Sequence, residues 1–225
     1  MYTMESIISH FKGNSHTTAE YDISILKPCF KKEGNMNVIS PRILSHFGYS
    51  IPSEEILSIF RRHIHPCATI LEIGCGLGLY ARIFAKIYPN WIATDHPQKY
   101  AEWIDRKPPF IMPIIYVEDP LSSFDTPPDV LITIWPEPNS TYFMDYVDRF
   151  QGELIIMIGC PGVTGADEMW ELFDMEFDRI EYQAVCERVF MGFRDTETVA
   201  VWRKKRGQCT IANREEWDHV KKSHQ

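Results

Sequence analysis

Ile70-Leu71-Glu72-Ile73-Gly74-Cys75-Gly76-Leu77-Gly78-Leu79 is the stretch that decides the fold. It joins a short apolar run, one carboxylate and three alternating glycines. Ala68 to Ile73 has the length and apolarity of a buried parallel strand, and Leu79, Ile83, Phe84 and Ile87 then recur at helical spacing. The glycines therefore stand where a strand turns into a helix. At such a turn glycine permits positive φ and close backbone approach, and the helix N-terminus presents unpaired N–H groups to an anion.

Working outward, Glu54 to Ile64 carries Ile56, Phe60 and Ile64 four apart, with Leu57 and Ile59 widening the apolar stripe, and so predicts an amphipathic helix. Ser53 is its expected N-cap, Glu54 and Glu55 suit the positive end of the helix dipole, and Pro66 stops it. Beyond the glycine loop, Trp91–Asp95, Ile111–Val117, Val130–Trp135 and Leu154–Ile158 read as further strands. Tyr142 to Phe150 reads as a helix. Thr164-Gly165-Ala166-Asp167 resembles a capping box with Asp in place of Glu or Gln, opening another. Arg179–Cys186 and Thr198–Trp202 have no helix between them and should pair antiparallel.

This order predicts an α/β fold: a mostly parallel, doubly wound, seven-stranded sheet with helices on both faces and a C-terminal antiparallel strand pair. Residues 1–46 read as an N-terminal extension, partly ordered at best. Residues 47–206 read as one domain, and 207–225 as a polar tail with a short helix at Arg214 to Lys221. Ligands of such sheets bind at the carboxyl ends of the strands, and Gly74, Gly76, Gly78, Asp95, Asp119 and Pro136 all fall at those ends.

Composition bounds the partners. Of 225 residues, 44% are hydrophobic and 13% aromatic, which suits a chain with a sizeable core. A formal net charge of -8 disfavours a nucleic-acid partner, and Arg203 to Arg206, the one basic run, reads as the solvated end of the last strand. The six cysteines form no C-x-x-C pair, and His63, His65 and His96 show no ligand spacing, so free thiols in a reducing compartment and no metal are expected. Met1 to Ser15 lacks the apolar core of a signal peptide, and no apolar run approaches the ~20 residues of a membrane span. A soluble, cytoplasmic protein is expected.

Two cofactor classes compete for a strand, glycine loop and helix. A dinucleotide wants G-x-G-x-x-G, but Leu79 holds the place of the third glycine. Glu72 would repel a pyrophosphate and suits a ligand with an ammonium group, while Asp95 suits ribose hydroxyls. A nicotinamide-dependent oxidoreductase is thus opposed by both Leu79 and Glu72.

Glu72-x-Gly74-x-Gly76-x-Gly78 with Asp95 resembles motif I and the ribose-binding acid of the class I S-adenosylmethionine-dependent methyltransferases, and the final strand pair resembles the hairpin of that Rossmann-like fold. The resemblance covers about residues 47 to 205. Tyr49-Ser50-x-Pro52-Ser53, Trp135-Pro136 and Thr164-Gly165-x-Asp167 are similar to a subgroup of that class with no assignable substrate. The resemblance implies S-adenosylmethionine as cofactor, its methionine part over Gly74, Cys75, Gly76 and Gly78 with Glu72 near the amino group. Asp95, with His96 beside it, would take the ribose, and Asp119 or Glu118 the adenine amino group. Ile134 and Trp135 would border the sulfonium.

The activity so implied is in-line methyl transfer to a small molecule or a protein side chain. A base is needed only for an acceptor that holds its proton, and Glu137 is the first candidate, followed by His96 and Tyr49. Enzymes of the class that methylate amino groups carry Asn, Asp or Ser before Pro-Pro-aromatic, where this chain has Trp135-Pro136-Glu137-Pro138. That missing acceptor side chain argues against an adenine amino target. It also keeps open the alternative of a catalytically silent methyltransferase-fold subunit that binds a partner protein.

Overall fold

The computed structural model describes residues 23–39, 49–98, 114–123, 126–140, 142–165, 167–190 and 193–205. The expected tail at 207–225, its helix at Arg214 to Lys221, and residues 1–22 and 40–48 lie outside the described residues.

The strands are β1 (Phe30–Glu33), β2 (Met36–Ile39), β3 (Ile70–Ile73), β4 (Trp91–Asp95), β5 (Ile115–Tyr116), β6 (Val130–Ile134), β7 (Leu154–Gly159), β8 (Phe177–Phe190) and β9 (Phe193–Lys204). The helices are α1 (Glu54–His63), α2 (Leu79–Phe84), α3 (Tyr142–Arg149) and α4 (Asp167–Glu176). One sheet runs in the order β1-β2-β8-β9-β7-β6-β3-β4-β5. β7, β6, β3, β4 and β5 are parallel, and β9 lies antiparallel between β7 and β8. The chain leaves β3 for β4 on one side and later returns to place β6 on the other. The carboxyl end of β3 is therefore the topological switch point.

Among the described residues the sheet has nine strands rather than the expected seven. β1 and β2 come from the segment read as an extension, and β2 joins the sheet by parallel pairing of Val38 with Glu187 and Ile39 with Arg188. Four-residue strands of mixed polarity leave too short a pattern to read from sequence. The strand expected over Ile111–Val117 is only Ile115–Tyr116, with 111–113 outside the described residues. The expected antiparallel pair is present but longer, because the β8–β9 ladder continues from Phe177↔Lys204 to Phe190↔Phe193. The strand expected to end at Trp135 ends at Ile134, since Trp135 turns out of the ladder at φ 54°.

Period-two alternation covers both faces. Ile70, Leu154, Ile156, Ile158, Val199 and Val201 pack with α1 and α2. Leu71, Ile73, Ile155, Met157, Ala200 and Trp202 pack with α3 and α4. On the first face Phe60, Phe84, Tyr88 and Trp91 form a set of edge-on and tilted rings, and on the second Phe173 meets Trp202 edge-on at 5.1 Å. Burial of each such side chain is worth roughly 1.5–3 kcal/mol. Glu72 shares its face with Ile70 and so points under α1 and α2, an unusual place for a carboxylate.

Two local expectations meet different fates. Ser53 caps α1, its Oγ accepting from the Ile56 N–H at 3.3 Å with φ −130°. Thr164 does not cap α4. Its hydroxyl instead closes the loop behind β7, accepting from the Cys160 N–H at 3.0 Å and donating to the Cys160 carbonyl at 3.1 Å. The helix after the glycine loop stops at Phe84 rather than running through Ile87, and Leu79, Tyr80, Ala81, Ile83 and Phe84 are all buried.

Candidate functional site

The glycine loop leaves β3 with Gly74, Gly76 and Gly78 at φ 71°, 57° and 69°. This left-handed alternation costs a residue with a Cβ on the order of 1–2 kcal/mol per position. At Gly74 there is a second reason: a Cβ would lie 2.7 Å from Tyr142 Oη. Gly78 is the N-cap of α2 and has no side chain to bond the helix N–H groups.

Neighbouring strands hold the loop open. The Cys75 N–H donates to the Thr94 carbonyl at 3.0 Å, and the Gly76 N–H donates to Asp95 Oδ2 at 2.9 Å. Asp95 Oδ1 accepts from the His96 N–H at 2.8 Å, so the tip of β4 is tied to the glycine loop through one carboxylate. Thr94 Oγ1 donates to the Glu72 carbonyl at 2.6 Å and Thr133 Oγ1 to the Ile73 carbonyl at 3.2 Å, which fixes the end of β3 from both sides.

Above these tips lies a cavity of about 590 Å³. It brings together most of the residues singled out in the sequence. Glu72, Gly74, Cys75, Gly76, Asp95 and His96 line it from β3, β4 and the loop, and Tyr49, Trp135 and Glu137 line it from the opposite side. Gly78 and Asp119 are not in the lining. Gly78 is turned into the start of α2, and Asp119 is held by Arg149 through two bonds of 2.7 and 3.0 Å. That guanidinium drives the Asp119 carboxyl down to about 2. The adjacent Val117 and Pro120 reach the cavity instead.

Glu72 is 1% exposed, and its carboxylate accepts from Trp91 Nε1 at 2.8 Å. Burial pushes its carboxyl up to about 8 against the pull of that hydrogen bond, and the charge of Asp95 adds to the rise. Cys75 is raised by burial and then by Glu72 and Asp95, so its thiol stays protonated and acts as a small filler of the loop.

The far wall centres on Trp135. Tyr49, 57% exposed, stacks on it at 6.2 Å and 16°. The Arg188 guanidinium lies over the Trp135 ring at 3.4 Å, and the indole N–H donates to Glu197 Oε2. Ser50 Oγ and Tyr80 Oη are hydrogen-bonded to each other, and both line the cavity. Ser50, Tyr80, Trp91, Tyr142, Arg188 and Glu197 carry roles that sequence reasoning missed. Ser50 stands in a motif quoted above. Arg188 and Glu197 are distinguished only by pairing, because the register Cys186↔Glu197 and a bulge at Ala184/Cys186 bring them behind Trp135.

Among the described residues no cluster of His, Cys, Asp and Glu is arranged to hold a metal ion, and no helix is long and apolar enough to cross a membrane. No family model and no curated protein matches the chain. Solved structures do. Precorrin-6y C5,15-methyltransferase from Geobacter metallireducens GS-15 is similar at 16% identity and TM-score 0.46, covering 72% of this chain and 95% of that one. The magnesium protoporphyrin IX methyltransferase ChlM from Synechocystis PCC 6803 with bound SAM is similar at 11% identity and TM-score 0.43, over 84% of this chain and all (100%) of that one. TrmK of M. capricolum, in complex with the cofactor product S-adenosyl-homocysteine, is similar at 11% identity and TM-score 0.46, over 69% and 70% of the two chains.

Proposed function

We propose that this chain is an S-adenosylmethionine-dependent methyltransferase acting on a small molecule or a protein side chain. The observation that carries the reading is the joint between Gly76 and Asp95. A loop of left-handed glycines, tied by its own N–H to the carboxylate at the next strand tip, lines a 590 Å³ cavity at the switch point with Glu72 in its wall. The residues fit the cofactor's chemistry. Glycines without Cβ atoms give a close backbone floor, Glu72 offers a carboxylate to an ammonium group, and Asp95 offers one to ribose hydroxyls.

When bound, S-adenosylmethionine supplies an activated methyl group on sulfur. The chain's own work is then to orient the acceptor, exclude water and remove a proton where the acceptor carries one. Tyr49 and Trp135 supply an aromatic wall for the acceptor side. Glu137, exposed at the rim of the cavity, stands where a carboxylate could take a proton.

Isothermal titration with S-adenosylmethionine and S-adenosylhomocysteine tests the reading. Binding is expected in the intact chain and should be lost in Asp95→Ala and Gly76→Val. No binding by the intact chain overturns it. The alternative, a silent binding subunit, predicts cofactor binding or a stable partner with no labelled methyl appearing in any product.

A further inference from the structure

Tyr142 opens α3 and lines the cavity, and its hydroxyl has one proton to place. Thr133 Oγ1 gives its own proton to the Ile73 carbonyl at 3.2 Å, so in the 3.3 Å bond between Thr133 Oγ1 and Tyr142 Oη the phenol is the donor. Tyr142 Oη therefore offers lone pairs, not a proton, to anything else it meets. It stands against the glycine loop, where a Cβ on Gly74 would lie 2.7 Å from it. Burial above all keeps the phenol protonated, and the charges of Asp95 and Glu137 act in the same direction.

Glu137 reaches the same cavity from the other end of one short turn. The Ser140 N–H donates to the Glu137 carbonyl at 3.1 Å, with Pro138 and a left-handed Asn139 (φ 59°) between them, and α3 begins two residues later. Gly165, itself at φ 67°, clamps that turn. Its N–H is shared between the Pro136 and Glu137 carbonyls at 3.3 and 3.2 Å, and its carbonyl accepts from the Asn139 N–H at 3.0 Å. The Thr164-Gly165 motif thus serves the cavity, by fixing the turn that carries Glu137. Two further donors of the lining are already spent, Trp135 Nε1 on Glu197 and Tyr146 Oη on the Glu118 carbonyl at 3.3 Å. Among the described residues no lysine or arginine lines the cavity.

We propose that the methyl acceptor is an aliphatic amine, its nitrogen held by Tyr142 Oη and the Glu137 carboxylate. The inference rests on the methyltransferase reading above and names the substrate class of that site. An ammonium group brings three N–H donors to two oxygens that offer lone pairs, and its charge meets a carboxylate. An alcohol brings a single proton to those two oxygens, and a phosphate or carboxylate would meet no lysine or arginine in the wall. In the step, Glu137 takes one proton from the ammonium group and passes it to water at the rim. The freed nitrogen lone pair bonds the methyl carbon as the carbon–sulfur bond of the sulfonium donor breaks, its electron pair staying on sulfur. A primary amine leaves as a methylated ammonium ion with its two remaining N–H groups.

Three measurements on the full chain test the proposal: calorimetric binding of S-adenosylhomocysteine, urea unfolding, and transfer of labelled methyl from S-adenosylmethionine into the small-molecule and protein fractions of a cell extract. The label should be recovered on nitrogen, either in small molecules retained by cation exchange or on lysine side chains, and the fraction that carries it tells the two sources of amine apart. Glu137→Gln, a change at an exposed side chain, should keep the unfolding midpoint and S-adenosylhomocysteine binding and lower transfer by roughly 10²-fold, with Glu137→Asp restoring part of the loss. Tyr142→Phe should keep S-adenosylhomocysteine binding and lower transfer by roughly tenfold. Label on oxygen, carbon or sulfur, or wild-type transfer in either Glu137→Gln or Tyr142→Phe, overturns the proposal and leaves the methyltransferase reading standing. Binding of S-adenosylhomocysteine with no transfer to either fraction also overturns it and favours the silent subunit. Failure of the wild type to bind removes the methyltransferase reading and this proposal with it.

Discussion

Trp91 Nε1 donates to the Glu72 carboxylate across 2.8 Å, joining neighbouring strands β3 and β4 beneath the helices of one face. The bond is the direct compensation for a carboxylate that alternation directs into the core. Burial outweighs that bond and, with the Asp95 charge, holds the Glu72 carboxyl at about 8 rather than the ordinary 4.5.

That shift makes stability depend on pH. Between 4.5 and about 8 the folded state keeps a proton that the unfolded state releases, so the Glu72 contribution falls as pH rises through this window. The limiting slope is about 1.4 kcal/mol per pH unit for one group. Urea unfolding of the wild type against Glu72→Gln should show a flatter pH dependence in the variant. Under the proposed function, S-adenosylhomocysteine should bind more tightly as pH rises towards 8, by up to about tenfold per unit, because its ammonium group favours ionised Glu72.

Gly74→Ala combines φ 71° with a Cβ placed 2.7 Å from Tyr142 Oη. A loss of about 1–3 kcal/mol in unfolding free energy is expected, together with weakened S-adenosylhomocysteine binding. The atom behind that hydroxyl stands at 3.7 Å, an ordinary contact. Gly74→Ala/Tyr142→Phe should therefore recover the steric part of the loss and leave the backbone part, which chemical denaturation can separate.

Asp95 and Asp119 both end strand regions, yet they should behave differently. Asp95 bonds the glycine loop from the cavity wall, whereas Asp119 is paired with Arg149 outside the lining. Titration with S-adenosylhomocysteine should show a much larger loss for Asp95→Ala than for Asp119→Ala. Removing Asp119 should also change stability by less than about 1 kcal/mol, since the Arg149 and Asp119 side chains are 48% and 37% exposed.

Ser53→Ala removes the hydroxyl that accepts from the Ile56 N–H at the start of α1. Thermal and urea unfolding should register a loss of about 1 kcal/mol. Thr164→Ala should leave the N-terminus of α4 uncompromised and instead loosen the Cys160 turn, which amide exchange at Cys160 would report.

Legibility followed locality. Ser53, the glycine loop and Asp95 were readable because their roles are set by neighbours in the chain: a cap, a φ angle, a strand tip. Thr164 misled because its sequence context offers the same hydroxyl to a helix or to a turn, and the turn behind β7 won. β1 and β2 were unreadable because their four residues each are of mixed polarity and their place depends on pairing, β1 with β2 and β2 with β8.

The amino-acid sequence by itself determined a glycine loop between a strand and a helix, with Glu72 ahead of it, alternating glycines in it, and an acid at the next strand tip. Only the tertiary structure decided that Glu72 is buried against Trp91 and that Asp119 pairs with Arg149 outside the cavity lining. It alone set Arg188 and Glu197 behind Trp135. The physical reason is that the loop's properties are carried by successive residues, whereas burial and hydrogen-bond pairing depend on register. Cys186 opposite Glu197, one bulge along from Ala184, is a relation between strands that no window of sequence contains.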